Sequence, residues 1–270
     1  MASTFQTLKQ AWARANDCDI GLIAAGIAYY TFLSFVPLLA AAVLIYGIAV
    51  DPRTLAEHTA QLAQSLPGSA SELVSDQLES VVDTRSGTSG LGLVAALAAS
   101  LFAARVAAGA VIKALNDAFG ADEDRGFIKS NLLALAITIG AVVAIGIVAG
   151  ATTLASTVLN ESVGAFASYL IVGLAGVGGA MVAYKLVPNT RQVSKSAAFH
   201  GALLFALGWM VASAAFGFYV ANFGNYNATY GSLGAIVVFL TWLFLSSYLL
   251  LFGAHTACAS DPRDHRPEYD

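Results

Sequence analysis

The sequence predicts an all-α polytopic membrane protein: six transmembrane helices, the first one kinked, with short amphipathic helices in one outer loop. Three observations carry that expectation. Of 270 residues, 57% are hydrophobic and only 11% charged. The mean hydropathy is +0.71. The apolar residues gather into six windows, each near the roughly 20 residues that a bilayer core of about 30 Å demands of a helix. Soluble domains carry about 25% charged residues, so a soluble enzyme is the first class excluded. A net charge of -4 supplies no basic surface for neutralising phosphates, which argues against nucleic acid as a partner. Two cysteines without a close pair exclude a disulfide-stapled secreted domain.

The windows fall at 22–50, 91–114, 132–158, 164–187, 197–221 and 231–258. The first follows Asp17 and Asp19, unlike the positively charged start of a cleavable signal peptide, so it is kept as a mature helix. Counting Lys and Arg loop by loop fixes the orientation. Lys9 and Arg14, then Lys113, Arg125 and Lys129, then Lys185, Arg191 and Lys195, and finally Arg263 and Arg266 share one side, against Arg53 and Arg85 on the other. The positive-inside rule therefore places both termini in the cytoplasm. The chain is one membrane domain, 1–270, with a cytoplasmic tail at 259–270. The connection 51–90 carries six acids and apolar residues at helical spacing, which predicts two short amphipathic helices on the outer face. The outer turn 222–230 places Tyr219, Tyr226 and Tyr230 at the interfacial aromatic belt.

All seventeen acids lie outside the spans or at their edges, so no buried carboxylate offers a proton or sodium relay. Arg105 is the one clear intramembrane charge. It either faces a pathway in the bundle or extends its long side chain to the cytoplasmic interface. Pro37 lies inside the first span, where its missing N–H predicts a kink. Tyr29, Tyr30, Thr31 and Ser34 put hydroxyls around it, lining a substrate route or satisfying the kink locally. Cys18, His200, His255 and Cys258 share the cytoplasmic level, and two His with two Cys suit zinc chemically. Shared depth does not make shared azimuth, however, and no metal or other cofactor is assigned. No nucleophile elbow, phosphate-binding loop or zinc-protease motif occurs, which leaves no catalytic constellation.

Several blocks resemble the YihY / virulence factor BrkB family of prokaryotic membrane proteins. They are Ala24 to Pro37 (AAGIAYYTFLSFVP), Ala114 to Asn116, Tyr184 to Val193 (YKLVPNTRQV), Tyr230 to Ala235 (YGSLGA), Trp242, and Leu249 to Ala254 (LLLFGA). The resemblance implies a multi-pass protein of the prokaryotic cytoplasmic membrane, six helices and cytoplasmic termini. It also carries a ribonuclease BN label since regarded as mistaken, and associations with serum resistance or lipid export. The signature positions it transfers are Tyr29, Ser34, Pro37, Asn116, Pro188, Asn189, Tyr230, Gly231, Trp242 and Gly253. Members commonly carry Glu where this chain has His255, and Arg105 is not part of the pattern. Asn116, Pro188, Asn189 and His255 would ring a cytoplasmic mouth, with Tyr29 and Ser34 deeper; helix-terminal roles explain Pro188, Asn189, Tyr230 and Gly231 equally well.

Three functions compete. The leading expectation is a transporter or permease-like protein for a small solute or lipid-like molecule, embedded among membrane lipids and open to oligomerisation. The alternative is a non-enzymatic envelope-assembly scaffold acting through 51–90. A ribonuclease ranks third, lacking any acid-base or metal cluster.

Overall fold

The computed structural model describes residues 4–49, 90–121, 125–189, 193–222 and 232–261. Within them the chain is all helix: α1 Thr4–Asp17, α2 Ile20–Ala49, α3 Gly90–Phe119, α4 Phe127–Val158, α5 Glu161–Leu186, α6 Lys195–Asn222 and α7 Ser232–Ala259. Consecutive helices from α2 to α7 pack side by side, and α7 closes on α2 and touches α3, so the long helices form a ring. We call the end where α2 begins and α7 finishes basal, and the opposite end apical.

Helices α4, α5, α6 and α7 each contain a stretch long and apolar enough to cross a membrane, and the pair α1–α2 adds a fifth as a bent span. Helix α3 is 30 residues long; most of its side chains before Arg105 lie outside the described set. The expected outer helices of 51–90 also fall outside the described residues, as do Tyr230, Gly231 and the tail beyond Asp261.

The bend that the structure shows lies upstream of Pro37, the expected site of a kink. Helix α2 runs unbroken from Ile20 through Pro37 to Ala49, and the chain turns by 68° between Phe5–Asp17 and Ile20–Phe35. Asp19 causes the turn by adopting φ 48°, a left-handed conformation that Asp tolerates better than most residues. The N–H groups of Cys18 and Asp19 close α1 on Arg14 and Asn16, while Leu22 and Ile23 donate to the Asp19 carbonyl and open α2. Proline inside a membrane helix is tolerated where neighbouring groups re-satisfy the freed carbonyl.

Among the described residues, the buried set gathers at the basal half. The buried set is dominated by alanines and small contacts: Ala24, Ala114, Ala118, Ala180, Ala198, Ala202, Ala254 and Ala257 surround Leu115, Tyr184 and Leu251. Without a hydrophobic driving force between helices in lipid, close approach of small residues supplies the association energy. The tightest crossing joins α6 and α7: a Cβ on Gly253 would overlap the Tyr184 hydroxyl and lie 2.7 Å from the Gly201 carbonyl oxygen. The Tyr184 hydroxyl, lodged in that crossing, donates to the Leu250 carbonyl at 2.7 Å.

Candidate functional site

The richest polar grouping sits at the basal end, built on the loop that follows α5. Four backbone carbonyls at a helix C-terminus lack intrahelical partners and carry partial negative charge. Arg125 answers them from the α3–α4 connection: Nη1 donates to Val187 O at 2.7 Å, and Nη2 to Pro188 O at 3.1 Å and Leu186 O at 3.4 Å. Its Nε donates to Asn189 Oδ1 at 3.2 Å. The Asn189 N–H in turn donates to Asn116 Oδ1 at 2.8 Å, tying α3 to the same loop. Next to this knot, Asp261 Oδ2 accepts from the Ser194 N–H at 2.9 Å, and Ser194 Oγ caps α6 by accepting from Ala197 N–H. Pro188 is buried between these contacts. Of the residues expected to ring a mouth, Asn116, Pro188 and Asn189 are therefore brought together, as parts of a clamp. His255 is buried on α7, 3% exposed, with Thr256 and Cys258; Cys258 Sγ reaches the Ala118 carbonyl at 3.4 Å.

Towards mid-membrane the expected residues separate. Leu22, Tyr29 and Leu33 share one stripe of α2 and are 77%, 54% and 50% exposed, opposite the buried Ile20, Ala24, Ile27 and Ala28. Tyr29 thus points away from the helices α2 packs against. Ser34 is buried and its hydroxyl donates to Thr31 O within its own helix at 2.9 Å. The Pro37 side chain lies outside the described set. Arg105 donates from Nε to Asn131 Oδ1 at 2.6 Å and lies 5.6 Å over the Phe102 ring, binding α3 to α4. Trp242 stacks on Phe239 and meets Trp209 edge-on at 6.0 Å, while Trp209 Nε1 donates to Ser246 Oγ. Gly253 belongs to the helix crossing. The four-residue zinc grouping is not assembled: no three His, Cys, Asp or Glu side chains converge among the described residues.

The apical half differs from the basal one. Ala134 of α4 is 2% exposed, yet Ile145, eleven residues and three turns farther out on the same face, is 68% exposed. From Ile139 to Val158, no described α4 side chain is buried, and the half-buried positions Val148, Ala151, Thr152 and Ala155 mark the line towards α5. On the Ala134 face of α4, Ile145 is therefore exposed, while Thr152, five turns beyond Ala134, is half-buried. Hydroxyls in the spans mostly satisfy themselves on carbonyls of their own helix, as Thr138, Thr153, Ser168, Thr241 and Ser247 do. Ser213 Oγ is the exception among the described residues: it is buried without a partner, two turns beyond Ala206 on α6.

A family model described as virulence factor BrkB matches residues 11–269. The chain belongs to the virulence factor BrkB family. Among relatives, the ribonuclease-like protein YfkH of Bacillus subtilis (strain 168) is 29% identical, with 97% of each chain covered. A UPF0761 membrane protein of Pseudoalteromonas translucida is 29% identical, covering 92% of this chain and 83% of that one. Another, from Alkalilimnicola ehrlichii, is 28% identical over 86% of this chain and 53% of its own length. No solved structure matches the chain. This BrkB-family chain is thus a multi-pass integral membrane protein, and the blocks quoted above lie within the matched region.

Sequence reasoning missed Arg125, Asn131 and Asp261 as structural ligands. Arg125 entered only as a topology charge, although a cation near a helix end rich in free carbonyls is a recognisable cap. Asp261 carried no local signal, because its partner Ser194 is distant in sequence.

Proposed function

We propose that this BrkB-family protein is a transport-type membrane protein with six spans, α2 to α7, and both termini cytoplasmic, which moves a lipid-like molecule or a small solute. The basal end is then cytoplasmic, as the distribution of Lys and Arg favours. The observation that carries the reading is the contrast along α4: a face packed at Ala134 and uncovered at Ile145. An α4 face exposed at Ile145, beyond the packed basal end, gives an amphiphile access from the outer leaflet. No catalytic role is assigned. The ribonuclease-like name of YfkH is not extended to this chain, whose net charge of -4 opposes polyanion binding.

The test is transport by the purified full chain in vesicles, following dithionite loss of fluorescent phospholipid and release of entrapped solutes. Rates above those of vesicles lacking the protein support the reading; identical rates for every lipid and solute class contradict it and favour a scaffold.

A further inference from the structure

Helix α1 carries more apolar surface than the bundle covers. Its buried face, Ala11 and Ala15 with the half-buried Leu8, packs against α7. Phe5 and Trp12, seven residues apart and so on one line, lie just outside that face and are 76% and 53% exposed. Lys9, one turn from each, is exposed about 40–60° farther round from their line, Asn16 lies beside that line, and Gln6 and Asp17 continue the exposed arc away from the packing face. Around the helix the order is therefore a packing strip, an uncovered aromatic strip, and a polar arc.

The depth of α1 is fixed independently. The 68° bend lays it across the bundle instead of along it. The Trp12 ring meets Phe252 edge-on at 6.0 Å, and Phe252 is seven residues, about 10 Å of helical rise, from the basal end of α7 at Ala259. The aromatic strip continues into a half-buried aromatic row of α7, where Phe252 stacks on Tyr248 and Tyr248 meets Phe244. A tryptophan at this level, with a lysine one turn away and a polar arc above, matches the chemistry of the headgroup boundary.

We infer that α1 is an interfacial lipid-docking helix: Phe5 and Trp12 enter the acyl boundary of the basal leaflet, and Lys9 engages the phosphate of an anionic phospholipid. Asp19, by turning the chain, sets the helix in that plane. The inference uses the orientation given above and holds whether or not the protein transports anything.

The test reconstitutes the full chain in vesicles of equal parts phosphatidylglycerol and phosphatidylethanolamine. Tryptophan emission is compared between wild type and Trp12→Phe, using phospholipids brominated near the headgroup end or near the chain end of the acyl group. Trp209 and Trp242 remain in both proteins, so the difference reports Trp12 alone. The expected result is an emission component quenched by the shallow bromines and missing in Trp12→Phe. Identical quenching profiles, quenching of that component by deep bromines, or quenching only by aqueous iodide would each overturn the placement. In a second arm, Lys9→Gln lowers the enrichment of phosphatidylglycerol in co-purifying lipid by roughly five-fold, the effect of one cation near an anionic surface. Unchanged enrichment removes the phosphate contact from the proposal.

Discussion

Gly253→Ala tests the packing account most sharply, because the added methyl has nowhere to go. Its carbon would overlap the Tyr184 hydroxyl, lie 2.7 Å from the Gly201 carbonyl oxygen and 3.1 Å from Phe205 Cβ. Two of these are atoms of facing helices that cannot swing aside like the end of a flexible side chain. Overpacking of this kind costs about 1–3 kcal/mol. Displacing the Tyr184 hydroxyl from Leu250 O adds about 1 kcal/mol. The better helix propensity of Ala returns about 0.5–1 kcal/mol. The net expectation is a loss of about 2 kcal/mol. Gly217, with nothing within 4 Å of its would-be Cβ, is the control: Gly217→Ala is neutral or slightly stabilising. Reversible unfolding in mixed micelles measures both. Tyr184→Phe should cost less in the Gly253→Ala background than in wild type, since the hydroxyl is already displaced. Equal stability of the two alanine variants, or strictly additive effects with Tyr184→Phe, would refute the crossing as described.

Other expectations follow from the same contacts. Arg125→Lys keeps the charge but cannot span Asn189 Oδ1 and three carbonyls; it should lose about 1–2 kcal/mol in thermal unfolding, and a melting point equal to wild type would count against the clamp. Asp261→Ala removes the partner of the Ser194 N–H and should expose the residues after Ala259 to limited proteolysis, with about 1 kcal/mol of stability lost. A double-mutant cycle of Arg105→Leu and Asn131→Leu should yield a coupling near 0.6 kcal/mol, the ordinary value for a polar contact between membrane helices; zero coupling would dissociate the pair.

The spans of α4 to α7 were legible because each is a long uninterrupted apolar run. The window 197–221 became Lys195–Asn222, and 231–258 became Ser232–Ala259. Helix α1 was not anticipated, since its polar residues hid Phe5, Leu8, Trp12 and Ala15, whose spacing marks an amphipathic turn. A kink was expected at Pro37 because proline is the conspicuous breaker. The 68° bend between α1 and α2 is a separate feature, set at Asp19 through a backbone conformation no composition rule reports. At the basal knot, Asn116 and Asn189 were singled out by family resemblance, but their bond joins residues 73 apart, and only the fold supplies Arg125 between them. The hydroxyls of Tyr29 and Ser34 were grouped by sequence proximity, yet five residues of helix put them on different faces.

The proposed route depends on an α4 face that is packed at Ala134 and open to water at Ile145. Cysteine accessibility tests it at two neighbouring depths on α4. Ile145 continues the face of Ala134, while Val143, 54% exposed, lies on the opposite side. In right-side-out vesicles with a membrane-impermeant thiol reagent outside, Ile145→Cys is expected to react and Val143→Cys, facing lipid, to stay protected. Equal protection of the two positions would contradict a hydrated route along this face of α4.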